Sequence, residues 1–305
     1  MATATQTSKV RSTGIRRVLR EALSTVRGKV GAVLAIVVLA IACAGPFVPG
    51  QDPLALVDTP FAAPGGPAGA LGADVLGRSV LARTLHGGYQ LLILAIVATA
   101  AAVLLGAFLG VSAAYRRGKY EAVVMRGVDV VLALPQLIFV LLLVSVAGAG
   151  MWLVLVAVAL SQAPQVARVV HGAAQDVCER DFVKAVALWG VPPRKVISRQ
   201  VLPNLVTPLM VETGLRLSYS IIVIAGINFL GFGVTPPDPN WGVMINENRI
   251  GLGLNPWAVV APAIILAVLS VGTNTFTDAV ARANLGEARA EEAVLSASLG
   301  KTVEA

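Results

Sequence analysis

Residues 90–114 read QLLILAIVATAAAVLLGAFLGVSAA, a stretch without a single ionisable side chain. About 20 apolar helical residues are enough to cross the roughly 30 Å of hydrocarbon in a bilayer. Other segments of the chain resemble this one in length and polarity, although Glu212 and Arg216 interrupt one of them. The sequence therefore predicts six transmembrane helices, over residues 30–48, 90–114, 123–146, 151–171, 205–234 and 256–281.

The composition supports an all-α integral membrane protein. Of the 305 residues, 56% are hydrophobic and only 13% are charged, whereas soluble domains carry roughly 25% charged residues. A bilayer accepts apolar side chains and requires only that backbone polar groups be paired internally. The net charge of +7 does not indicate nucleic-acid binding, because the basic residues lie between apolar blocks and not on one face interleaved with aromatic residues.

The distribution of Lys and Arg predicts the orientation. Nearly all of them lie in the N-terminal tail, in the links between spans two and three and between spans four and five, and after the last span. The alternate links hold only Arg78, Arg83 and Arg249. Because cytoplasmic segments retain positive charge, we expect both termini, as tails over residues 1–29 and 287–305, to be cytoplasmic.

The first apolar segment has two interpretations. A basic region followed by an apolar stretch and Ala42-Cys43 resembles a lipoprotein signal sequence. Ala40 is a poor residue three places before the cysteine, and the later spans need no cleavable signal, so an uncleaved first helix is favoured. Residues 49–89, rich in Pro and Gly, then form an external loop with one short interfacial helix over residues 76–85.

The polar stretch 172–204 reads GAAQDVCERDFVKAVALWGVPPRKVISRQVLPN. Its spacing predicts a short helix over residues 181–189, with an apolar stripe formed by Phe182, Ala185, Val186 and Trp189. Gly190 ends this helix, the following prolines enforce a turn, and a second short helix covers residues 194–201. Such a helix suits docking into a groove of another protein, but it could equally fold back on its own bundle, and the residues alone leave both possibilities open.

This stretch resembles the EAA loop of ABC-transporter permease subunits, in which Glu-Ala-Ala, three residues and Gly precede a Leu-Pro close. The matching positions here are Lys184, Ala185, Val186, Gly190, Leu202, Pro203 and Asn204. Three further stretches are similar to the C-type permeases of the dipeptide, oligopeptide and nickel group: LGADVLGRSVLAR at 71–83, RGVDVVLALP at 126–135 and NFLGFGVTPPDPNWGVM at 228–244. The four stretches are collinear, and the resemblance covers roughly residues 71–286.

The resemblance implies the half-pore of an importer in a bacterial inner membrane, with a permease core over residues 90–286. The implied partners are a second homologous permease, two cytosolic ATPase subunits or one fused pair, and an extracytoplasmic substrate-binding protein. The implied contacts to the ATPase are Asp181, Lys184, Ala185, Val186, Trp189, Gly190, Arg199, Leu202 and Pro203. The chain departs from the family at Lys184, where Glu is usual, at Val186, where Ala is usual, and at Gln200, where His is common. Di- or oligopeptides are the implied cargo, with nickel or glutathione as alternatives.

The sequence offers no catalytic, cofactor or metal site of its own. Gly300-Lys301-Thr302 matches only the second half of a phosphate-binding loop, because Leu295 stands where the first glycine belongs. The two histidines, His86 and His171, lie near opposite predicted membrane faces, and the sequence shows no evident orienting acid for either of them. We therefore expect ATP to be bound by partner subunits.

Glu212 and Arg216 are ionisable residues four apart within the fifth span, so they can meet on one helix face. They either line a pathway or gate, or form a self-neutralising pair packed against a neighbouring helix. A stand-alone secondary carrier is a rival interpretation of such residues, but the inverted repeats or discontinuous helices that would favour it are not evident in the sequence. A third possibility is a membrane scaffold without transport activity.

Overall fold

The structure, a computed structural model, describes residues 11–48, 52–148 and 150–303, and side chains within residues 18–45, 47–48, 52–148 and 150–283. Regular structure in these residues is helical apart from three isolated β-bridges. The helices are α1 (Arg11–Ser24), α2 (Val26–Ala44), α3 (Val80–His86), α4 (Tyr89–Arg116), α5 (Gly118–Leu132), α6 (Gln136–Ala147), α7 (Met151–Cys178), α8 (Asp181–Leu188), α9 (Pro193–Val196), α10 (Val206–Phe229), α11 (Trp241–Asn248) and α12 (Trp257–Val303). The predicted all-α membrane fold is confirmed.

Helices α2, α4, α7, α10 and the first part of α12 are long and apolar enough to cross a membrane. The third predicted span, 123–146, is discontinuous: α5 and α6 meet at 90° across residues 133–135. Pro135 accounts for the break, because it lacks an N–H group and disfavours helical geometry at Leu134. No discontinuous helix is evident in the sequence, and the structure corrects that expectation.

Small residues let the spans approach closely. A Cβ atom at Gly106 of α4 would lie 2.6 Å from the carbonyl oxygen of Ala163 on α7. A Cβ atom at Gly31 of α2 would likewise lie 2.5 Å from the backbone nitrogen of Phe276 on α12. Such contacts are typical of membrane bundles, where helices associate through close backbone packing and not through a hydrophobic driving force.

The N-terminal segment is helical from Arg11 onward and is not an irregular tail. Residues 1–10 lie outside the described part of the chain, but α1 forms a helix whose Val18 and Ala22 pack against Ala279 and Val280 of α12. The side chain of Thr25 accepts a hydrogen bond from the Gly28 amide and caps α2, as threonine commonly does at a helix start. At the other end, the backbone of α12 stays helical to Val303.

The segments that connect the spans lie at the two ends of the bundle. One end holds α1, α8 and α9; the opposite end, which we call the outer end, holds loop 52–88 and α11. The short helix expected over residues 76–85 is α3, which begins at Val80 because the Ser79 hydroxyl accepts a hydrogen bond from the Ala82 amide. The outer loop is docked onto α11, since the indole N–H of Trp241 donates to the Thr84 carbonyl at 2.7 Å.

Candidate functional site

Helix α8 follows α7 and is anchored to the bundle through a single buried residue. Val183 is almost fully buried and packs in a cluster with Val177 and Val196. Val186, one of the four residues of the predicted apolar stripe, is partly buried against the same cluster. The face of α8 that packs on the bundle therefore includes Val183, which is not a member of the predicted stripe.

The large apolar residues at the two ends of α8 are exposed. Phe182 lies on its outward face, while Leu188 and Trp189 end the helix with 86% and 81% of their surface accessible. Leu188 is not one of the four residues of the predicted stripe. Large apolar side chains that are this exposed outside the spans indicate a surface for another protein. We call Phe182, Leu188 and Trp189 the α8 tip.

Gly190 ends α8 with a φ of 78°, a left-handed conformation that glycine adopts without strain. The predicted second helix, 194–201, is instead the short α9 followed by a π-helical turn, Ile197–Val201, and a 3-10 turn, Leu202–Asn204. Two prolines explain the irregularity, since Pro193 begins α9 and Pro203 removes a donor from the last turn.

The predicted contact residues fall into two groups. Asp181, Lys184, Ala185, Val186, Trp189 and Gly190 lie on α8 or at its end, and Arg199, Leu202 and Pro203 lie on the turns that lead into α10. Asp181, Lys184 and Arg199 are exposed.

The predicted intramembrane pair does meet. Arg216 Nε lies 2.8 Å from Glu212 Oε1, at ion-pair distance but outside hydrogen-bond geometry, and both residues are buried. The Arg216 guanidinium also donates to the side-chain oxygen of Gln165 on α7 and lies 5.1 Å from the ring centre of Tyr219. The pair therefore joins α10 to α7.

A second polar group lies deeper between the spans. Ser220 Oγ is 2.8 Å from Thr99 Oγ1 and accepts a hydrogen bond from Gln162 Nε2 at 2.8 Å. These three residues tie α4, α7 and α10 together. The sequence does not single out these three residues, because an uncharged polar residue within an apolar segment does not reveal which neighbour it will meet.

A buried ionic cluster joins the outer loop to α11. Asp74 Oδ2 lies 2.7 Å from Arg78 Nε and 2.6 Å from Arg83 Nη1, and Arg83 Nη1 lies 2.8 Å from Glu247 Oε2. Asp74 and Arg83 are fully buried. The amides of Leu76 and Arg78 also donate to Asp74 Oδ1, each at 2.9 Å. This ionic cluster (Asp74, Arg78, Arg83 and Glu247) was also missed, although the quoted stretch 71–83 contains three of its members.

The cluster lowers the pKa of Asp74 below its ordinary value of 3.8. Burial is the largest single influence and by itself would raise this pKa, because it disfavours the charged carboxylate. The hydrogen bond from the Arg78 amide, the charges of Arg83 and Arg78, and the Leu76 amide together outweigh burial. Asp74 is thus ionised at neutral pH.

The chain is similar to membrane components of known transport systems. The family described as binding-protein-dependent transport system inner membrane component matches residues 102–285. A peptide permease protein of Brucella ovis is 36% identical over 204 residues, covering 66% of this chain and 68% of the relative. The di/tripeptide transport system permease protein DppC of Pseudomonas aeruginosa is 33% identical over 203 residues, covering 66% and 67%.

A solved structure shares the fold. The MetNI methionine ABC transporter in an inward-facing conformation contains a chain that aligns with a TM-score of 0.51 and 18% identity, over 64% of this chain and 93% of that one. At this level of identity the likeness concerns the fold alone.

Proposed function

This chain belongs to the family of binding-protein-dependent transport system inner membrane components, and from that membership we propose that it forms half of the pore of an ABC importer for di- or oligopeptides. The peptide permease protein and the di/tripeptide permease named above support the cargo. The chain is a multi-pass membrane protein, and it pairs with a second, homologous permease to enclose the pathway.

Energy for transport comes from partner subunits. The end of the bundle that holds α1, α8 and α9 faces the cytoplasm, in line with the concentration of basic residues there. Cytosolic ATPase subunits bind ATP and dock at α8, and a substrate-binding protein delivers peptide at the outer end. No cofactor or catalytic group of this chain takes part.

The α8 tip is the observation that carries this proposal. A loop helix that served only its own bundle would turn its large apolar side chains inward. Here Val183 alone is fully buried, while Leu188 and Trp189 remain almost completely exposed. An apolar helix seated in a groove of a partner is a recurring mode of recognition. Because α8 follows α7 directly, movement of an ATPase at the tip is carried into the spans as a rigid-body shift.

The proposal is tested by removing the tip. We expect the double variant Leu188→Ala with Trp189→Ala to lose the ATPase subunits on co-purification and to lose ATPase stimulation by the loaded binding protein. Truncating buried aromatic anchors of an interface typically costs at least about 2 kcal/mol. Gly190→Ala should have the same effect without removing an apolar contact, because alanine is strained at a φ of 78°.

The matched control is Leu56→Ala with Trp152→Ala, which removes a leucine and a tryptophan that are also largely exposed but lie away from the tip. It should retain the ATPase subunits. Membrane insertion should be normal in all variants. Undiminished ATPase stimulation in the tip variant, or peptide uptake by the purified chain alone, would refute the proposal.

A further inference from the structure

We propose that the break in the third span, together with Gln136, Gln165 and Arg216, forms a contact site within the membrane for the main-chain amide and terminal charged groups of a passing peptide. This inference rests on the proposed function and names the part of this chain that touches the cargo.

The break lies near the middle of the membrane. The Gln136 side chain donates to Ser161 Oγ on α7 at 3.3 Å. Ser161 is ten residues from the start of α7 at Met151, which is about 15 Å of helix and half of the roughly 30 Å hydrocarbon thickness. Trp152, exposed at the start of α7, suits the headgroup boundary and supports this measure of depth.

The break is exposed on the surface of this chain. Ala133, Leu134 and Pro135 are all accessible. Across the break, α5 closes with bonds from Ala133 and Leu134 to earlier carbonyls, and the first turn of α6 begins with the bond from the Phe139 amide to the Pro135 carbonyl. The first amide groups of α6 therefore have no partner within their own helix. Irregular backbone facing lipid does not occur in the hydrocarbon region, and it is tolerated only where other protein buries it or where it lines a water-filled cavity.

Polar side chains line the cavity at the break. It has a volume of about 40 Å³ and is bordered by Gln136, Ser161 and Gln165, with Val131, Leu134 and Phe139 completing its wall. This is room for a group the size of one water molecule. A glutamine amide offers both a donor and an acceptor, which matches the alternating donors and acceptors of a peptide main chain.

Gln165 connects this cavity to charges of both signs. Its side-chain oxygen accepts from Arg216, which is paired with Glu212. An ion pair of this kind can exchange partners with a zwitterion, the guanidinium meeting the peptide carboxylate and the Glu212 carboxylate meeting the peptide ammonium group. Secondary transporters typically place solute at discontinuous helices near the midplane, and the break in this span offers a comparable arrangement. The face that carries the break is thus the wall of the pathway.

The decisive experiment measures access to the break. The two described free cysteines, Cys43 and Cys178, are replaced by alanine, and Leu134→Cys is introduced and reacted with a charged methanethiosulfonate in the full assembled transporter. We expect labelling that a transported dipeptide with its binding protein suppresses. The matched control Leu104→Cys, at a leucine of α4 that is more exposed in this chain, should stay unlabelled because α4 is an unbroken apolar helix there and such a helix face excludes a charged reagent.

An unlabelled Leu134→Cys would show that lipid or the second permease covers the break. Labelling that is insensitive to peptide would show a water path without cargo contact. Either result overturns the proposal. A second measurement uses Gln136→Leu. Loss of one hydrogen bond to the cargo should lower peptide uptake roughly two- to tenfold. Unchanged uptake in this variant also overturns it.

These results are separable from failure of the proposed function. If the unsubstituted transporter imports peptide and Leu134→Cys is unlabelled, only the contact site is wrong. If the unsubstituted transporter neither imports peptide nor hydrolyses ATP in response to its binding protein, the proposed function itself is wrong.

Discussion

Replacing Asp74 by asparagine should release the outer loop from α11. Asparagine retains an oxygen that can accept from the Leu76 and Arg78 amides, so the change removes chiefly the negative charge facing Arg78 and Arg83. Both arginines are almost fully buried, and breaking a buried ion pair by removing one partner typically costs about 3–5 kcal/mol. Because Glu247 still lies 2.8 Å from Arg83, we expect the lower end, about 3 kcal/mol.

Amide hydrogen exchange of residues 71–86 measures this cost directly, since exchange in a docked loop reports its local opening. A loss of about 3 kcal/mol corresponds to roughly a hundredfold faster exchange. Asp238→Asn, at an exposed acid of the same outer end, is the control and should leave the rate unchanged. Adding Arg83→Met to Asp74→Asn should restore part of the protection by removing the unpaired charge. Equal exchange in Asp74→Asn and the control would refute the reasoning.

The same cluster predicts a dependence on pH. The pKa of Asp74 is lower in the folded protein than its ordinary value of 3.8. A lowered carboxyl pKa contributes stability that is complete above the unfolded value and is lost as the pH falls through the folded value. Once corrected for its intrinsic pH dependence, exchange in residues 71–86 should therefore be constant from neutral pH down to about pH 5 and should accelerate only below the ordinary carboxyl pKa. Acceleration already near pH 6 would show that another group controls the docking.

The remaining predictions concern the spans. Gly31→Leu should lower the thermal midpoint of the detergent-purified protein, because its Cβ would lie 2.5 Å from the Phe276 backbone nitrogen and overpacking costs about 1–3 kcal/mol or more. The control Val33→Leu, on the exposed face of α2, should leave the midpoint unchanged. Equal midpoints in the two variants would contradict the close approach of α2 and α12. Arg216→Met should destabilise the fold by about 3–5 kcal/mol in the same assay, because it leaves the Glu212 carboxylate buried without its partner. Adding Glu212→Gln should recover most of this loss, and a double variant no more stable than the single one would show that the two residues do not act as a pair.

Composition and local sequence patterns predicted the fold class correctly. A run such as residues 90–114 can be stable only where lipid surrounds it, so composition and segment length were sufficient to predict a helical membrane protein. Gly190 and the prolines after it likewise limited α8 to a short helix. The break at residues 133–135 was the main omission, because the residues around Pro135 are apolar apart from Gln136 and hydropathy does not register the direction in which a chain turns.

The candidate site, like the fold, could be predicted from the sequence only in part. Four-residue spacing was enough to predict that Glu212 and Arg216 meet, since a helix brings such positions together by its own geometry. No local rule could show that Gln165 on another helix would join them, or that Asp74 and Glu247, 173 positions apart, would share Arg83. The sequence by itself determined which segments cross the membrane and which residues carry charge within them. Only the tertiary structure decided which of those charges are neighbours, because contacts between distant segments depend on how whole helices pack.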